Sequence, residues 1–286
     1  MDPQSHFLKY SSSESDTSSE SPSDESMSRS SDDSSLSDSQ PPPANHPGPI
    51  PIGAVINERW TVGEVIGMGT YGFVQAANEG NAETAVVKSE PCGSQKLRQE
   101  AHVYRAVHAA GRATGFPRFL HSDSMYNCDV LVLDRLGETI GQRKLQSLGE
   151  VYWFMMQALD ILQHLHRCCF VHGDIHSENI MCGPKGTSSE HTLFLIDFSV
   201  SIVIEGEDEE LRALNDPSMS NLSVTADLAM LIDVVNNSAT VNLNPLPPRL
   251  AEYNEYVDRW EPGEVRLPDY GMLRGRMQEG YRELSR

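Results

Sequence analysis

Two short stretches of the sequence carry residue types that suit phosphoryl transfer. The first, FVHGDIHSENIMC, places Asp174 and Asn179 five positions apart, and the second, LFLIDFSVS, places Asp197 directly after an apolar run. A carboxylate can accept the proton of an attacking hydroxyl, and Asp and Asn oxygens are ligands for the Mg²⁺ that neutralises nucleotide phosphates. We therefore assign Asp174 as the catalytic base and Asn179 and Asp197 as metal ligands.

A glycine-rich segment, GMGTYGFV, lies upstream of these residues and joins two predicted strands. Gly67, Gly69 and Gly72 would let the backbone approach phosphate groups closely. A dinucleotide-binding fingerprint would open a helix instead. Taken alone, the segment is also consistent with an ordinary Gly-rich hairpin.

Lys88 ends the apolar strand AVVK, and Glu100 follows on a predicted helix. A lysine at a strand end is commonly a surface charge, and a glutamate on a helix commonly faces solvent. Here the Gly-rich loop, the strand Lys, the helix Glu, HxDxxxxN and ID-F follow one another in the order of a protein kinase. In that order, Lys88 and Glu100 fit a catalytic ion pair that directs the ammonium to the α- and β-phosphates of a nucleotide.

The elements that carry these residues change from strands to helices along the chain. TVGEVIG, FVQAAN and ETAVVKSE predict strands, KLRQEAHVYRAVHAAG has helical periodicity, and NCDVLVLDRL predicts a buried strand. VYWFMMQALDILQHLHRCC predicts a long apolar helix, and further helices are predicted near ADLAMLIDVVNN and from Arg249 onward. This order predicts an α+β fold with two lobes, the N-lobe over residues 56–137 and the C-lobe over 138–286.

Residues 57–284 resemble the casein kinase I group of protein kinases, and within it the vaccinia-related kinases. YNCDVLVLDRLGETI is similar to that group's hinge, RQEAHVYRAVHAAGRATGFP to its helix C and the following turn, and LPDYGMLRGRM to its PDY-x-x-LR element. HGD in place of HRD is typical of the vaccinia-related branch. The resemblance implies a Ser/Thr protein kinase that uses ATP and Mg²⁺ and acts on a protein substrate.

The resemblance also implies which residues contact the nucleotide. The Asp134 carbonyl and the Leu136 amide would bind adenine, with Leu133 as gatekeeper and Met181 beneath the base. The full set of expected contacts is Ile66, Gly67, Gly69, Gly72, Val74, Ala85, Lys88, Leu133, Asp134, Leu136 and Met181.

Four departures from the family pattern bear on activity. Gly173 replaces the Arg that usually binds a phosphorylated activation loop, which predicts activity independent of that phosphorylation. His176 replaces a Lys that contacts the transferred phosphate, and we still assign it as catalytic because aminoglycoside and choline phosphotransferases have a His there. Ser199 replaces the Gly of DFG and reduces backbone freedom. Only thirty positions separate Asp197 from Asp227, so the activation segment is short and the C-lobe is abbreviated.

These departures leave two alternatives to an active protein kinase. The short segment and His176 also fit a pseudokinase that acts as an allosteric scaffold and binds nucleotide or partner kinases. They fit a small-molecule or atypical phosphotransferase as well. Retention of the catalytic set favours the active protein kinase, because a drifting pseudokinase need not keep Lys88, Glu100, Asp174, Asn179 and Asp197.

The first 55 residues are predicted to form a disordered, acidic, Ser- and Pro-rich tail, because they have almost nothing to bury. The chain has a formal charge of −19, and the tail to residue 53 carries nine acidic residues against two basic ones, which leaves −12 for the remainder. Because this excess repels phosphate backbones and anionic lipid, we expect no direct nucleic-acid or membrane partner. Five cysteines without a CxxC pair and the lack of a signal peptide predict an intracellular protein of the cytoplasm or nucleus.

The segment IEGEDEELRALNDP predicts the kind of protein substrate. In a kinase fold it lies beside the substrate channel, where one sign of charge attracts the opposite sign. We therefore expect Ser/Thr in basic surroundings, although the casein kinase resemblance alone implies acidic substrates. The alternative is that the segment is a solvent-exposed loop without a role in substrate binding, or that it covers the active site until a basic partner displaces it. The acidic residues are Glu205, Glu207, Asp208, Glu209, Glu210 and Asp216, against Arg212.

Overall fold

The computed structural model describes residues 47–69, 71–111, 114–204, 223–260 and 267–285. Most of the predicted tail lies outside the described residues. So does the acidic segment that follows residue 204, on which the substrate prediction was based.

The fold begins before residue 56. Ile50 is 1% exposed, its N–H donates to Gln75 Oε1 at 2.8 Å, and Gln75 Nε2 donates back to the Ile50 carbonyl at 2.9 Å. A side chain from a distant strand therefore satisfies the backbone of this Pro-rich segment, which lets it pack. Residues 47–55, which composition assigned to the tail, include a part of the N-lobe.

The N-lobe is built on a six-stranded antiparallel sheet with the strand order β1-β2-β3-β4-β6-β5. Its strands pair mostly through hairpins between chain neighbours, and β4 pairs with β6. In chain order they are β1 Val55–Ile56, β2 Trp60–Met68, β3 Phe73–Glu79, β4 Ala82–Pro91, β5 Phe119–Met125 and β6 Cys128–Asp134.

Helix α1, Gln95–Ala109, lies against β5 and β6 on one face of this sheet. It begins at the N-cap Ser94, whose side chain accepts a hydrogen bond from the Leu97 N–H. Six of the seven residues of β6 are buried, because α1 covers one face of the strand and a cluster around Trp60 covers the other. This matches the apolar run that predicted a buried strand.

The C-lobe is helical. The long helix α3 forms its centre and packs against α4 and α6. Ser147 caps α3 and Ser223 caps α4, each through a side-chain oxygen that accepts a backbone N–H of the first turn. The helices are α2 Ile140–Arg143, α3 Leu148–Arg167, α4 Val224–Ser238, α5 Pro248–Asp258 and α6 Tyr270–Glu283.

Two small antiparallel strand pairs lie between α3 and α4 in the sequence. Strand β7 pairs with β10, and β8 pairs with β9. Their bounds are β7 Phe170–Val171, β8 Ile180–Cys182, β9 Leu193–Leu195 and β10 Ile202–Val203. A sheet lobe followed by a helical lobe confirms the predicted α+β fold. Within the described ranges, no helix has both the length and the apolar character needed to span a membrane.

Candidate active site

Lys88 forms ion pairs with residues of both lobes. Its Nζ lies 2.6 Å from Glu100 Oε2 on α1 and 3.1 Å from Asp197 Oδ1 in the C-lobe. Lys88 is on β4, which neighbours β6, and α1 packs on β6, so the sheet brings Glu100 over Lys88. The structure thus brings together three residues that are spread over more than a hundred positions of the sequence.

The charges of neighbouring side chains shift the pKa values of Lys88 and Asp197. Burial opposes the charge on Lys88, but Glu100 and Asp197 outweigh it and raise the pKa of the ammonium. Burial likewise opposes ionisation of Asp197, yet Lys88 and a hydrogen bond with Ser199 lower the pKa of that carboxyl to about 2. Lys88 and Asp197 are therefore both charged at neutral pH.

A short hairpin sets the distance between the two expected metal ligands. Strand β8 begins one residue after Asn179, β9 ends two residues before Asp197, and Ile180 pairs with Leu195. Because the strands are antiparallel, the start of one and the end of the other lie at the same end of the hairpin. The Ile196 N–H donates to the Asn179 carbonyl at 3.0 Å, which closes this end.

The ligand chemistry at this end of the hairpin fits Mg²⁺ held jointly with a nucleotide. Mg²⁺ typically takes one or two protein carboxylates, several waters and substrate phosphates. Asp197 supplies a carboxylate and Asn179 an amide oxygen, whereas no group of three or more His, Cys, Asp or Glu side chains converges on a metal position among the described residues. Asp197 also has a φ of 64°, which is uncommon for a residue with a side chain and is seen most at functional sites.

Asp174 is at the start of the loop that leads to Asn179. Its side chain is 52% exposed, so an incoming hydroxyl can reach it. Asn179 Nδ2 donates to the Asp174 carbonyl at 3.0 Å and to Oδ2 at 3.3 Å, which orients the predicted base relative to the predicted metal ligand. The imidazole of His176 lowers the pKa of Asp174.

His176 lies beside the predicted base, with its Nε2 3.6 Å from Asp174 Oδ2. The neighbouring Asp174 carboxylate raises the pKa of His176. The ring is 48% exposed. It stands at the position where protein kinases usually have a lysine.

Asp227, in the first turn of α4, accepts hydrogen bonds from the backbone of the same loop. Its Oδ2 accepts the His172 N–H at 2.8 Å, and its Oδ1 accepts the Gly173 N–H at 2.8 Å. Gly173 has a φ of 78°, a left-handed conformation that favours glycine. The departure from the usual arginine therefore also suits the local backbone.

Three aromatic rings connect α1 to this loop. Tyr104 and Phe198 make an edge-to-face contact with centroids 5.0 Å apart, and Phe198 makes another at 5.0 Å with His172. All three side chains are buried, and burial lowers the pKa of His172. Since Tyr104 is one helical turn after Glu100, the stack and the ion pair are on the same face of α1.

The Gly-rich loop is the turn between β2 and β3. Gly67 pairs with Val74 across the hairpin, and the Gly69 N–H donates to the Gly72 carbonyl at 2.9 Å. A Cβ at Gly72 would lie 1.9 Å from the Ser89 carbonyl oxygen, so the close approach of this loop to β4 requires glycine there.

The expected adenine contacts lie along the link between the lobes. Leu133 and Asp134 end β6, Ala85 pairs with Asp134, and Leu136 follows in the linker. The Leu136 N–H makes no hydrogen bond with another described residue, which leaves this donor available to a base. Ile66 on β2 is 47% exposed, and Met181 on β8 is half-buried. Partly exposed apolar side chains of this kind suit a flat aromatic ligand.

Sequence reasoning did not assign the groups that support the site. The ring stack had a weak signal, since Tyr104 is four residues after Glu100 on a predicted helix. Asp227 was noted only as the start of a helix. Two further buried residues, His166 on α3 and Tyr270 on α6, connect to Asp227 through side-chain hydrogen bonds that no local pattern indicates.

The fold and these contacts agree with the comparison to protein families. A model of the protein kinase domain matches residues 60–226, which is more than half of the chain. The chain belongs to the protein kinase family. The match begins at β2 and ends within the first turn of α4, so it includes every site residue described above except Asp227 and Tyr270.

Individual relatives are kinases of the same broad group. "Nucleosomal histone kinase 1" of Drosophila melanogaster is 30% identical over 167 residues, which cover 50% of this chain and 27% of that protein. "Casein kinase I homolog 3" of Schizosaccharomyces pombe is 27% identical over 159 residues, 51% and 35% of the two chains. "Probable serine/threonine-protein kinase FPV226" of fowlpox virus is 24% identical over 170 residues, 53% and 56%. The matches thus span between about a quarter and about half of these relatives.

Proposed function

We propose that this chain is an ATP- and Mg²⁺-dependent Ser/Thr protein kinase that prefers Ser/Thr in basic surroundings. The observation that carries the catalytic part is the position of Lys88 Nζ, within 3.1 Å of both Glu100 and Asp197. In a kinase reaction the lysine holds the α- and β-phosphates, and Asp197 with Asn179 holds the metal that neutralises the transferred group. Asp174 accepts the proton of the attacking Ser or Thr hydroxyl.

Transfer to protein tests this catalytic part. Wild-type protein with ATP and Mg²⁺ should phosphorylate itself or a supplied protein, and Asp174→Asn should lower the rate by about 10²-fold or more, because a general base contributes that much. Lys88→Met and Asp197→Ala should also lose transfer while thermal unfolding shows that the fold remains. Phosphorylation that persists in purified Asp197→Ala would contradict the metal assignment.

The same measurements separate the alternatives. A pseudokinase scaffold would be stabilised by MgATP in a thermal-shift experiment but would transfer no phosphate to protein. A small-molecule phosphotransferase would phosphorylate hydroxyl compounds and leave proteins unmodified. The position of His176 beside Asp174 keeps both alternatives worth testing, since a histidine stands where protein kinases usually have lysine.

Charge supports the preference for basic substrates. Glu178 is exposed beside Asn179 and accepts a hydrogen bond from Thr139 Oγ1 at 2.8 Å, and the exposed Glu138 is the neighbour of Thr139. These carboxylates are part of the formal charge of −12 that remains outside the tail. A relative is named a nucleosomal histone kinase, and histones are basic proteins. An acidic rim attracts such substrates at a range of about 8 Å in physiological salt.

Substrate preference is tested with histone and casein at low and moderate ionic strength. Wild type should favour histone, and the preference should weaken with salt. A variant with Glu207, Asp208, Glu209 and Glu210 changed to Ser should lose much of it. As a matched control, Asp24, Glu25, Asp32 and Asp33 in the tail are changed to Ser, which alters net charge equally. Casein as the better substrate, or equal effects of the two variants, would contradict the proposed role of the acidic segment.

A further inference from the structure

A chain of buried polar groups runs from helix α6 towards the loop that carries Asp174. Tyr270, the first residue of α6 and 3% exposed, hydrogen bonds through its hydroxyl with His166 Nδ1. His166 Nε2 lies 2.8 Å from Asp227 Oδ2, and neither side chain of this pair has any exposed surface. Since water cannot reach these atoms, each depends on its neighbour as a hydrogen-bond partner.

The partners of Asp227 determine which way these hydrogen bonds point. Its oxygens accept the backbone N–H groups of His172 and Gly173, so this side chain acts as an acceptor. His166 therefore donates from Nε2 to Asp227. In a neutral imidazole the other nitrogen, Nδ1, is then an acceptor, and the Tyr270 hydroxyl is the donor that faces it.

Loss of the Tyr270 hydroxyl would leave Nδ1 of His166 buried without a donor. The Nε2 proton would stay opposite the Asp227 carboxylate, but the ring would lose the contact that fixes its orientation about that hydrogen bond. Asp227 would then be held less firmly, and so would the two amides that it binds immediately before Asp174.

We propose that Tyr270 is a positioning residue for phosphoryl transfer: its hydroxyl holds the His166 ring in the orientation that presents the Nε2–H to Asp227, and Asp227 fixes the backbone that carries Asp174. The kinetic part of this inference rests on the proposed function. Two side chains, His166 and Asp227, lie between Tyr270 and the loop that carries Asp174. Its helix begins at the N-cap Asp269, whose side chain accepts the Met272 N–H at 2.8 Å and fixes the start of α6.

The chain offers a matched control for this residue. Tyr253 on α5 is also fully buried and also contacts α4, but its hydroxyl donates to the Leu228 carbonyl at 2.7 Å instead of to His166. Tyr270→Phe and Tyr253→Phe each remove one buried hydroxyl. Tyr270→Phe should lower kcat about tenfold, the equivalent of one lost hydrogen bond, with KM for ATP and peptide unchanged. Tyr253→Phe should leave kcat at the wild-type value.

Amide hydrogen exchange gives a second readout that does not depend on activity. The peptide that contains residues 170–175 should exchange faster in Tyr270→Phe, because the His172 and Gly173 amides are less firmly held, and should be unchanged in Tyr253→Phe. Equal kcat and equal exchange in the two variants would overturn the inference. If wild type transfers no phosphate at all, the proposed function fails, while the exchange comparison still decides whether Tyr270 holds the loop.

Discussion

His176 is the residue whose identity departs most from a kinase site, and its position decides what the departure means. The imidazole lies 3.6 Å from Asp174 and its pKa is raised by that carboxylate. We propose that its protonated form supplies positive charge near the transferred phosphate, although a lysine would reach further. Charge, rather than the particular side chain, is the property that the reaction needs here.

Substitution of His176 tests this interpretation. His176→Ala should lower kcat by about 10²-fold, the usual effect of removing one group that stabilises developing negative charge. His176→Lys should retain or exceed wild-type kcat, because it restores the charge. Both rates are measured at saturating MgATP and peptide. Equal activity of the Ala variant and wild type would show that His176 does not act on the transferred group.

His172 makes the stability of the protein depend on pH. Burial lowers its pKa, so the unfolded chain takes up a proton at a pH where the folded protein does not. Stability is therefore fully present above about pH 6.5, the ordinary histidine value, and falls as pH decreases below it. Asp227, Asp197 and Asp174 face the ring and oppose this effect, but burial outweighs them.

Thermal unfolding between pH 7.5 and 5.5 measures this dependence. The Tm of wild type should fall across the range, whereas His172→Phe, which keeps a ring against Phe198, should start lower and fall less. Parallel decreases in both proteins would assign the effect to another group.

At the scale of elements, the packing of α6 on α3 depends on a glycine. Gly280 lies against the Tyr152 ring, and a Cβ there would be 2.5 Å from that ring, whereas a Cβ at Gly275 of the same helix would meet nothing within 4 Å. Both positions are glycines of the same helix, but only Gly280 is in close contact with another helix. Substitutions at the two positions therefore distinguish the effect of helix propensity from the effect of packing.

Gly275→Ala should stabilise the protein by up to about 1 kcal/mol through helix propensity. Gly280→Ala gains the same propensity but forces Tyr152 and α6 apart, at a cost of about 1–3 kcal/mol, so it should be neutral to destabilising. Denaturant unfolding of the two variants gives the difference directly. If Gly280→Ala is as stable as Gly275→Ala, then α3 and α6 can move apart to fit the methyl group without a cost in free energy.

At the scale of the whole molecule, local sequence patterns predicted the order of the strands and helices. The features that they did not predict depend on contacts between residues far apart in the sequence. The apolar run of β6 and the periodicity of α1 are local signals that packing reinforces. The burial of Ile50 was missed because it depends on Gln75, 25 positions away. The link between Tyr270 and His166 spans 104 positions, and no spacing rule reaches that far.

The tail offers a prediction for the intact protein. Ser11, Ser13, Thr17, Ser21, Ser30 and Ser35 each have an acidic residue three positions later, a pattern suited to acid-directed kinases. Each phosphate would add a charge of about −1.5 to −2 to a segment that is already acidic. Mass spectrometry of protein from its native cell should find phosphate before residue 40. Deletion of residues 1–46 should leave kcat/KM for a free peptide nearly unchanged, and a large loss would give the tail a part in the reaction.

The burial of Phe198 has a consequence for inhibitor design. The ring is fully buried between Tyr104 and His172, and Lys88 contacts Glu100 and Asp197. A compound that fills only the proposed adenine position would leave this arrangement intact. A compound that needs the space occupied by Phe198 must first expose the ring, at about 1.5–3 kcal/mol, or roughly 10- to 100-fold in affinity. Screening libraries for this protein should therefore be weighted towards compact hinge binders.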